Sequence, residues 1–260
     1  MSETSEFHEA YNQVIARYYD GAYETMLASG ADVRFYSELA LERSGPVLEL
    51  GCGTGRVLLE LTRRGLECVG LDSSRTMLER LRERAGALSP ALVLGRMQDF
   101  DLSPRRFQLV YAAFRPFQHL YTVDEQLSCL RTVRNHLEPG GRFAFDVFNP
   151  KLDQVGKLME PEVSDLRFQQ GGCDVVRYVS LRRDPVRQMV EALMRFETHQ
   201  CGQVIKNETE LIRMRWFTRY ELEHLMARAG YENVVIYGDF EGSAVEQGSP
   251  ELVVVGSAPR

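Results

Sequence analysis

The feature that most constrains the fold is a cluster of glycines between two short apolar runs, in the stretch 46–72, PVLELGCGTGRVLLELTRRGLECVGLD. Val47 to Leu50 has the character of a buried strand. Three glycines follow it: Gly51, Gly53 and Gly55. Glycine has no Cβ, so these positions favour a tight turn whose backbone can come close to a ligand. The apolar spacing from Val57 predicts a helix, and the next apolar run ends at Asp72, so the stretch predicts a strand, turn, helix, strand unit.

Asp72 indicates which ligand this unit binds. It follows Gly51 by 21 residues, near the spacing of about 20 at which an acidic side chain meets a ribose. A dinucleotide fingerprint needs a third glycine where this chain has Arg56, which leaves an NAD-dependent oxidoreductase as a minor alternative. Glu49, just before the turn, would repel a pyrophosphate but attract an ammonium group. S-adenosylmethionine, which has both a ribose and an amino-acid head, fits Glu49 and Asp72 together.

The loop Glu-Leu-Gly-Cys-Gly-Thr-Gly at 49–55 resembles the first motif of the class I S-adenosylmethionine-dependent methyltransferases. The resemblance covers most of the chain, from about Tyr18 to the end. It implies an α/β fold with a Rossmann-like, seven-stranded mixed sheet and helices on both faces. It also implies a set of cofactor-binding residues: Tyr19, Glu49, Gly51, Cys52, Gly53, Gly55, Asp72, Ser73, Met77, Met97, Gln98, Asp99, Ala113 and Phe114.

The fourth predicted strand runs from Phe107 to Ala113. The segment that follows this strand is the expected reaction centre. Ligands of open α/β sheets bind beyond the carboxyl ends of the strands. His119 lies where a transferred methyl group would arrive, and it is the candidate base for a hydroxyl acceptor; a histidine that caps or packs is the alternative. Substrate contacts are expected from Tyr18, Arg115, Gln118, Phe148 and Asn149.

Three segments divide the chain: 1–150, with N-terminal lid helices and the cofactor-binding core; 151–215, an antiparallel insertion; and 216–260, a helix and hairpin that complete the core sheet. The insertion is predicted as a meander of three strands: Val175 to Arg183, Gln188 to Gln200 and Val204 to Arg215. It resembles the insertion of small-molecule methyltransferases, including those acting on amino sugars, which covers the acceptor site. A dimerisation sheet is the alternative, and it implies a homodimer.

The composition restricts the kinds of partner and the cellular compartment that are expected for this chain. A net charge of −6 and a pI of about 5.5 argue against a nucleic-acid partner. No apolar run reaches the length of about 18 that suggests a membrane span, and the N-terminus lacks the pattern of a secretory signal. Five cysteines without a Cys-x-x-Cys pair suit a reducing, cytoplasmic compartment and predict no metal site.

The predicted function is transfer of a methyl group from S-adenosylmethionine to nitrogen or oxygen of a small molecule by in-line displacement. A sulfonium is already activated, so the protein chiefly has to hold donor and acceptor in a reactive geometry. Two alternatives stay open: a protein or RNA methyltransferase, and a non-catalytic module that binds S-adenosylmethionine or S-adenosylhomocysteine.

Overall fold

The computed structural model describes residues 3–26 and 29–260, with the side chains of 13–26, 29–151 and 153–260. These residues form two compact units. The core unit joins Gly30–Pro150 with Trp216–Arg260, and the insertion unit joins the N-terminal helix with Lys151–Arg215. Leu27 and Ala28, which fall in the region of the predicted N-terminal lid helices, lie outside the described residues.

The elements follow one another along the chain with short connections. In order they are α1 (Glu3–Met26), α2 (Ala31–Leu41), β1 (Val47–Leu50), α3 (Leu58–Arg63), β2 (Cys68–Asp72), α4 (Arg75–Ala85), β3 (Ala91–Leu94), β4 (Phe107–Ala112), a 3₁₀ turn (Pro116–His119), α5 (Val123–His136), β5 (Leu137–Phe148), α6 (Leu152–Val155), β6 (Met159–Gln170), β7 (Cys173–Asp184), β8 (Met189–Gln200), β9 (Gln203–Arg215), α7 (Arg219–Arg228), β10 (Glu232–Tyr237) and β11 (Glu251–Ser257).

Seven of the described strands form the mixed sheet of the core unit, in the order β10-β11-β5-β4-β1-β2-β3. Strands β1 to β5 pair in parallel, and β11 runs antiparallel to β5. The carboxyl ends of the parallel strands and the first residue of β11 therefore lie along one edge of the sheet. The predicted Rossmann-like fold is confirmed, and this edge is where its ligands are expected.

The core sheet is covered on both faces, because alternate residues of a strand point to opposite sides. Leu48 and Leu50 belong to a hydrophobic cluster with residues of α5 and α7, whereas Val47 belongs to a second cluster with residues of α2, α3 and α4. The inner strands β1, β2, β4, β5 and β11 are consequently mostly buried, unlike the edge strands β3 and β10. Polar side chains within the inner strands are exceptions that need a reason.

The insertion unit contains a four-stranded antiparallel sheet in the order β6-β7-β8-β9. The three strands predicted for it are present as β7, β8 and β9, but β6 was not predicted. Its sequence is polar, Phe168 is its one buried residue, and it contains Pro161. Proline is tolerated on an edge strand, so β6 can pair with β7 through its backbone although its sequence is mostly polar. Among the described residues, no helix has both the length and the apolar composition needed to cross a membrane.

Candidate active site

The glycine turn after β1 has a backbone that other residues rarely adopt. Gly51, Gly53 and Gly55 have φ angles of 64°, 52° and 83°, in the left-handed region that favours glycine. A Cβ built on Gly51 would lie 2.8 Å from Cβ of Pro116. The turn after β1 thus lies against the 3₁₀ turn after β4, and a side chain at Gly51 would fill the space where they meet.

Asp72, at the end of β2, holds the glycine turn in place. Its Oδ2 accepts the Gly53 N–H at 2.8 Å and its Oδ1 accepts the Ser74 N–H at 2.8 Å. Burial raises the pKa of Asp72, and hydrogen bonds from the backbone of Ser74, Gly53 and Ser73 oppose that shift. An ionised carboxylate has about four lone-pair sites, so these three bonds leave capacity for a ribose hydroxyl. Cys52 is buried in the same turn, where its N–H donates to the Leu71 carbonyl at 3.1 Å.

Glu49 is a buried carboxylate on β1, next to the glycine turn. The Tyr111 hydroxyl donates to its Oε2 at 2.9 Å. Burial raises the pKa of Glu49 to about 8, against the effects of the Tyr111 hydrogen bond and of Arg56. Glu49 is therefore largely protonated at neutral pH, and a cationic group beside it would favour its ionised form.

The residues predicted to contact adenine follow β2 and β3. Ser74 caps α4 by accepting the Met77 N–H at 3.2 Å, and Met77 is buried. Met97 is half-buried, and the Gln98 carbonyl accepts the hydroxyls of Ser128 and Thr132, each at 2.9 Å. Asp99 is exposed. All of these follow the carboxyl ends of core strands, and their cofactor contacts stay predictions.

A second turn, after β4, has a strained backbone without glycine. Ala113 is buried, and the next two residues, Phe114 and Arg115, have φ angles of 64° and 70°, which cost about 1 kcal/mol or more per residue. Asp146 of β5 explains how they persist. Its Oδ1 accepts the Phe114 N–H at 2.8 Å and the Tyr36 hydroxyl at 2.7 Å, and its Oδ2 accepts the Arg115 N–H at 3.1 Å. Asp146 therefore fixes the shape of the turn.

The predicted substrate residues of the core unit surround this second turn. The Arg115 guanidinium donates to Oε1 of Glu251 at 2.6 Å, and lies 5.3 and 5.5 Å from the ring centroids of Phe114 and Phe148. Gln118 is buried, and its Oε1 accepts the Phe148 N–H at 3.1 Å. Their side chains are thus brought together at the ends of β4 and β5.

Two other predicted residues of this edge differ in their surroundings. The Asn149 amide donates to the Ser249 carbonyl at 2.9 Å, which joins the end of β5 to the segment before β11. His119 ends the 3₁₀ turn and is half-buried. A role for His119 as a base stays a prediction.

Tyr18 and Tyr19 belong to α1, in the insertion unit. Tyr18 is buried there: its ring stacks on Phe196 with 4.5 Å between centroids, and its hydroxyl donates to Oε2 of Glu208 at 2.7 Å. The Tyr19 ring lies 4.0 Å from that of Tyr23. The contacts of Tyr18 attach α1 to the sheet of its own unit, whereas the Tyr19–Tyr23 contact lies within α1. The predicted contacts of both residues with cofactor and substrate stay predictions.

Sequence reasoning missed several polar residues that shape this edge: Asp32, Tyr36, Arg56, Tyr111, Asp146 and Glu251. Most are buried, and Arg56 forms an ion pair with Asp32. One signal was visible, because Asp146 interrupts the apolar run Phe-Ala-Phe-Asp-Val-Phe at 143–148. A buried charge inside such a strand needs partners, but the sequence does not say which residues provide them.

Comparison with known proteins agrees with this geometry. Residues 47–141 match the model of a methyltransferase domain. A solved structure, the CcbJ methyltransferase from Streptomyces caelestis, is 31% identical, with 89% of this chain and 90% of that one covered and a TM-score of 0.75. The chain belongs to the class I S-adenosylmethionine-dependent methyltransferases, and S-adenosylmethionine is its cofactor.

Two curated relatives have names that specify an acceptor. The cypemycin N-terminal methyltransferase of a Streptomyces species is 27% identical over 94% of this chain and 96% of its own length. The dTDP-3-amino-3,4,6-trideoxy-alpha-D-glucopyranose N,N-dimethyltransferase of Streptomyces venezuelae is 30% identical over 48% of this chain. The matched part spans about half of that second relative, 51% of its length.

Proposed function

We propose that this methyltransferase acts on the nitrogen of a small-molecule amine. The observation that carries the proposal is the excess of acidic side chains along the ligand edge of the core unit. We define the carboxylate row as Asp72, Glu49, Asp32, Asp146 and Glu251. Arg56 pairs with Asp32 and Arg115 pairs with Glu251, so this row has five carboxyl groups and two paired guanidinium groups.

Such a row favours cationic ligands. The methyl donor has a sulfonium and an ammonium group, and an amine acceptor also arrives with a positive charge near neutral pH. Several groups of the row have a raised pKa because burial penalises their charged forms, namely Glu49, Asp72, Asp146 and Glu251. An incoming cation would reverse part of this penalty. A neutral or anionic acceptor would gain nothing comparable from these groups.

The residues that would hold the cofactor fit it. Asp72 would bind the ribose hydroxyls, Glu49 would lie on the side of the ammonium group, and Gly51 and Gly53 would allow the close approach of the backbone. The cofactor supplies a methyl group on a sulfonium, which is a good leaving group. The chain has to exclude water, orient the acceptor beside the turn after β4 and accept the proton that an ammonium must lose.

The two relatives with a specified acceptor support nitrogen. Both of their names describe transfer to an amine, in one case at the N-terminus of cypemycin and in the other on an amino sugar. A hydroxyl acceptor would need a base at the acceptor, and His119 is our prediction for that role.

The test is turnover with acceptors that differ in the target atom. Purified protein is incubated with S-adenosylmethionine and, separately, an amino sugar, a tripeptide with a free amino terminus, an alkylamine, a simple sugar and a phenol. Release of S-adenosylhomocysteine measures the rate, and mass spectrometry locates the added methyl group. We expect turnover with one or more amines and none with the sugar or the phenol. Methylation confined to oxygen acceptors would contradict the proposal.

A further inference from the structure

Glu251 lies at the edge where the acceptor is expected, although it is far along the chain from the other residues there. It begins β11 and pairs with Phe148, the last residue of β5. Because β11 is antiparallel to β5, its first residue lies beside the carboxyl end of β5. Arg115, which follows β4, reaches Glu251 at 2.6 Å. The pair therefore connects the ends of three neighbouring strands.

Each member of this pair has an unused polar atom. Oε2 of Glu251 and Nε of Arg115 are buried and have no hydrogen-bond partner among the residues that the structure describes. An unsatisfied buried donor or acceptor costs about 1–3 kcal/mol, and more when it is charged. The side chains as wholes remain 15% and 27% exposed, so a ligand at the edge can meet the pair. A ligand with both a hydrogen-bond donor and an acceptor would supply the missing partners.

Glu251 also has a pKa suited to a base that deprotonates an amine. Three charged groups face it: Arg115 from the turn after β4, Asp146 from β5 and Asp32 from α2. Burial raises the pKa of Glu251 to about 7; Asp146 and Asp32 act in the same direction, and Arg115 opposes them. A base acts best when its pKa lies near the working pH. The rings of Phe114 and Phe148, each of which lies near the Arg115 guanidinium, offer apolar surface for the carbon skeleton of the same ligand.

We propose that Glu251 is a catalytic residue that removes the proton from the acceptor's ammonium group, while Arg115 positions its carboxylate. The inference rests on the proposed function. The ammonium proton moves to the Glu251 carboxylate, which becomes a carboxylic acid. The freed lone pair on nitrogen then forms the N–C bond as the S–C bond breaks, and the sulfur keeps the electron pair of that bond. The methylated ammonium leaves, and Glu251 returns its proton to solvent.

The test compares Glu251→Gln with Glu246→Gln. The first change keeps the size of the side chain and the oxygen that accepts from Arg115, but removes the basic oxygen. Glu246 is exposed on the segment before β11 and serves as the matched control. With the amine that the wild type turns over, we expect kcat/KM to fall about 100-fold in Glu251→Gln. The Kd for S-adenosylhomocysteine should stay within twofold, and the control should resemble the wild type in both.

The pH profile separates a base from a residue that only supports the fold. Glu251 cannot accept a proton once it is protonated, so kcat/KM of the wild type for the amine, measured with saturating S-adenosylmethionine, should decline as the pH falls through about 7. In Glu251→Gln, where the rate should follow the fraction of free amine up to the pKa of that amine, the inflection near pH 7 should be absent. In Arg115→Gln it should move to higher pH, because the cation that lowers the pKa of Glu251 is gone.

The outcomes distinguish this inference from the proposed function. A Glu251→Gln variant with the rate and pH profile of the wild type on an amine would overturn the base role and leave N-methylation intact. A wild type that methylates oxygen acceptors and no amine would overturn both. If Glu251→Gln does not fold, an unmoved pH profile in Arg115→Gln would itself count against the proposal.

Discussion

The two turns at the ligand edge are built in different ways. The turn after β1 is held by the backbone N–H groups of Gly53 and Ser74 on Asp72, residues at most 19 positions from it. The turn after β4 is held by side chains from far along the chain, since Asp146 is 32 residues from Phe114 and Glu251 is 136 residues from Arg115. The cofactor side therefore depends on local backbone geometry, and the acceptor side on tertiary contacts.

This difference suggests how the two functions can vary separately. On the cofactor side few substitutions can be tolerated, because the turn needs glycines with left-handed φ angles and a carboxylate that accepts N–H groups. The acceptor side can change its shape through single side chains, such as the one paired with Arg115, without disturbing Asp72. Variants of the two sides should consequently alter different constants, and the predictions below test that separation.

The largest effect is expected on the cofactor side, from Asp72→Ala. The change removes the acceptor of the Gly53 and Ser74 N–H groups and the carboxylate proposed to bind the ribose. Hydrogen bonds to charged groups contribute about 1.5–3 kcal/mol each. We expect the Kd for S-adenosylhomocysteine, measured by calorimetry, to rise at least 100-fold, which corresponds to about 2.7 kcal/mol.

Asp101 provides a matched control for Asp72. Its Oδ1 accepts the N–H of Ser103, two residues on, at 2.9 Å, which is the same local pattern as Asp72 with Ser74, but its side chain is exposed. Asp101→Ala should bind S-adenosylhomocysteine as the wild type does. Equal losses in the two variants would mean that the Asp72 carboxylate has no particular role in binding the cofactor.

A smaller effect, confined to acceptor kinetics, is expected from Asp146→Asn. An amide has one acceptor oxygen, whereas the Asp146 carboxylate accepts from Phe114, Arg115 and Tyr36 with both of its oxygens. The amide NH₂ would face a donor, and the turn after β4 would lose its support. We expect kcat/KM for the acceptor to fall about 30-fold, a cost of about 2 kcal/mol.

For Asp146→Asn the Kd for S-adenosylhomocysteine should stay within threefold. Tyr36→Phe, which removes one of the hydrogen bonds to Asp146, should show a smaller fall in kcat/KM, and exposed Asp124 on α5 offers a control as Asp124→Asn. A Kd that weakens as much as kcat/KM would show that the two sides of the edge are not separable.

The same contrast explains what the sequence could predict. The glycine turn, its flanking strands and Asp72 lie within one short stretch whose spacing is typical of a nucleotide-binding unit, so local signals sufficed. Asp146 and Glu251 were visible as charges in or beside apolar strands. Their partners could not be read, because the pairing of β11 with β5 that brings Glu251 next to Arg115 is a property of the folded sheet.

The insertion unit shows another limit of local patterns. Strands β7, β8 and β9 were predicted because they are rich in valine, threonine and aromatic residues and are separated by turn residues, whereas β6 is mostly polar and contains Pro161. Tyr18 was expected to face a ligand, and its neighbours in the structure include Phe196 and Glu208. An aromatic residue on a helix has the same pattern in sequence whether it packs on its own unit or meets a substrate.

The smallest expected effect is the pH dependence that Glu49 gives to cofactor affinity. It tests whether the cofactor side depends on charge as well as on backbone geometry. With its pKa raised to about 8, Glu49 is mostly neutral at pH 6, so a ligand whose ammonium group favours the ionised form should release a fraction of a proton on binding. Affinity for S-adenosylhomocysteine should therefore increase as the pH rises, by about tenfold between pH 6 and 8. The raised pKa also predicts that the free energy of unfolding without ligand falls over the range from about 4.5 to 8, because the folded state holds the proton more tightly than the unfolded state.

Calorimetry in two buffers of different ionisation enthalpy would measure the released proton directly. Glu49→Gln should bind with an affinity that changes little with pH and should release less proton. Tyr111→Phe removes the hydroxyl that lowers the pKa of Glu49, so its increase in affinity should be shifted to higher pH. If the affinity of Glu49→Gln rises with pH as steeply as that of the wild type, the proton comes from another group of the carboxylate row. Asp72, whose pKa is raised by burial as well, would then be the next residue to test. The pH dependence of cofactor affinity would in that case come from the carboxyl groups around the glycine turn and not from Glu49 alone.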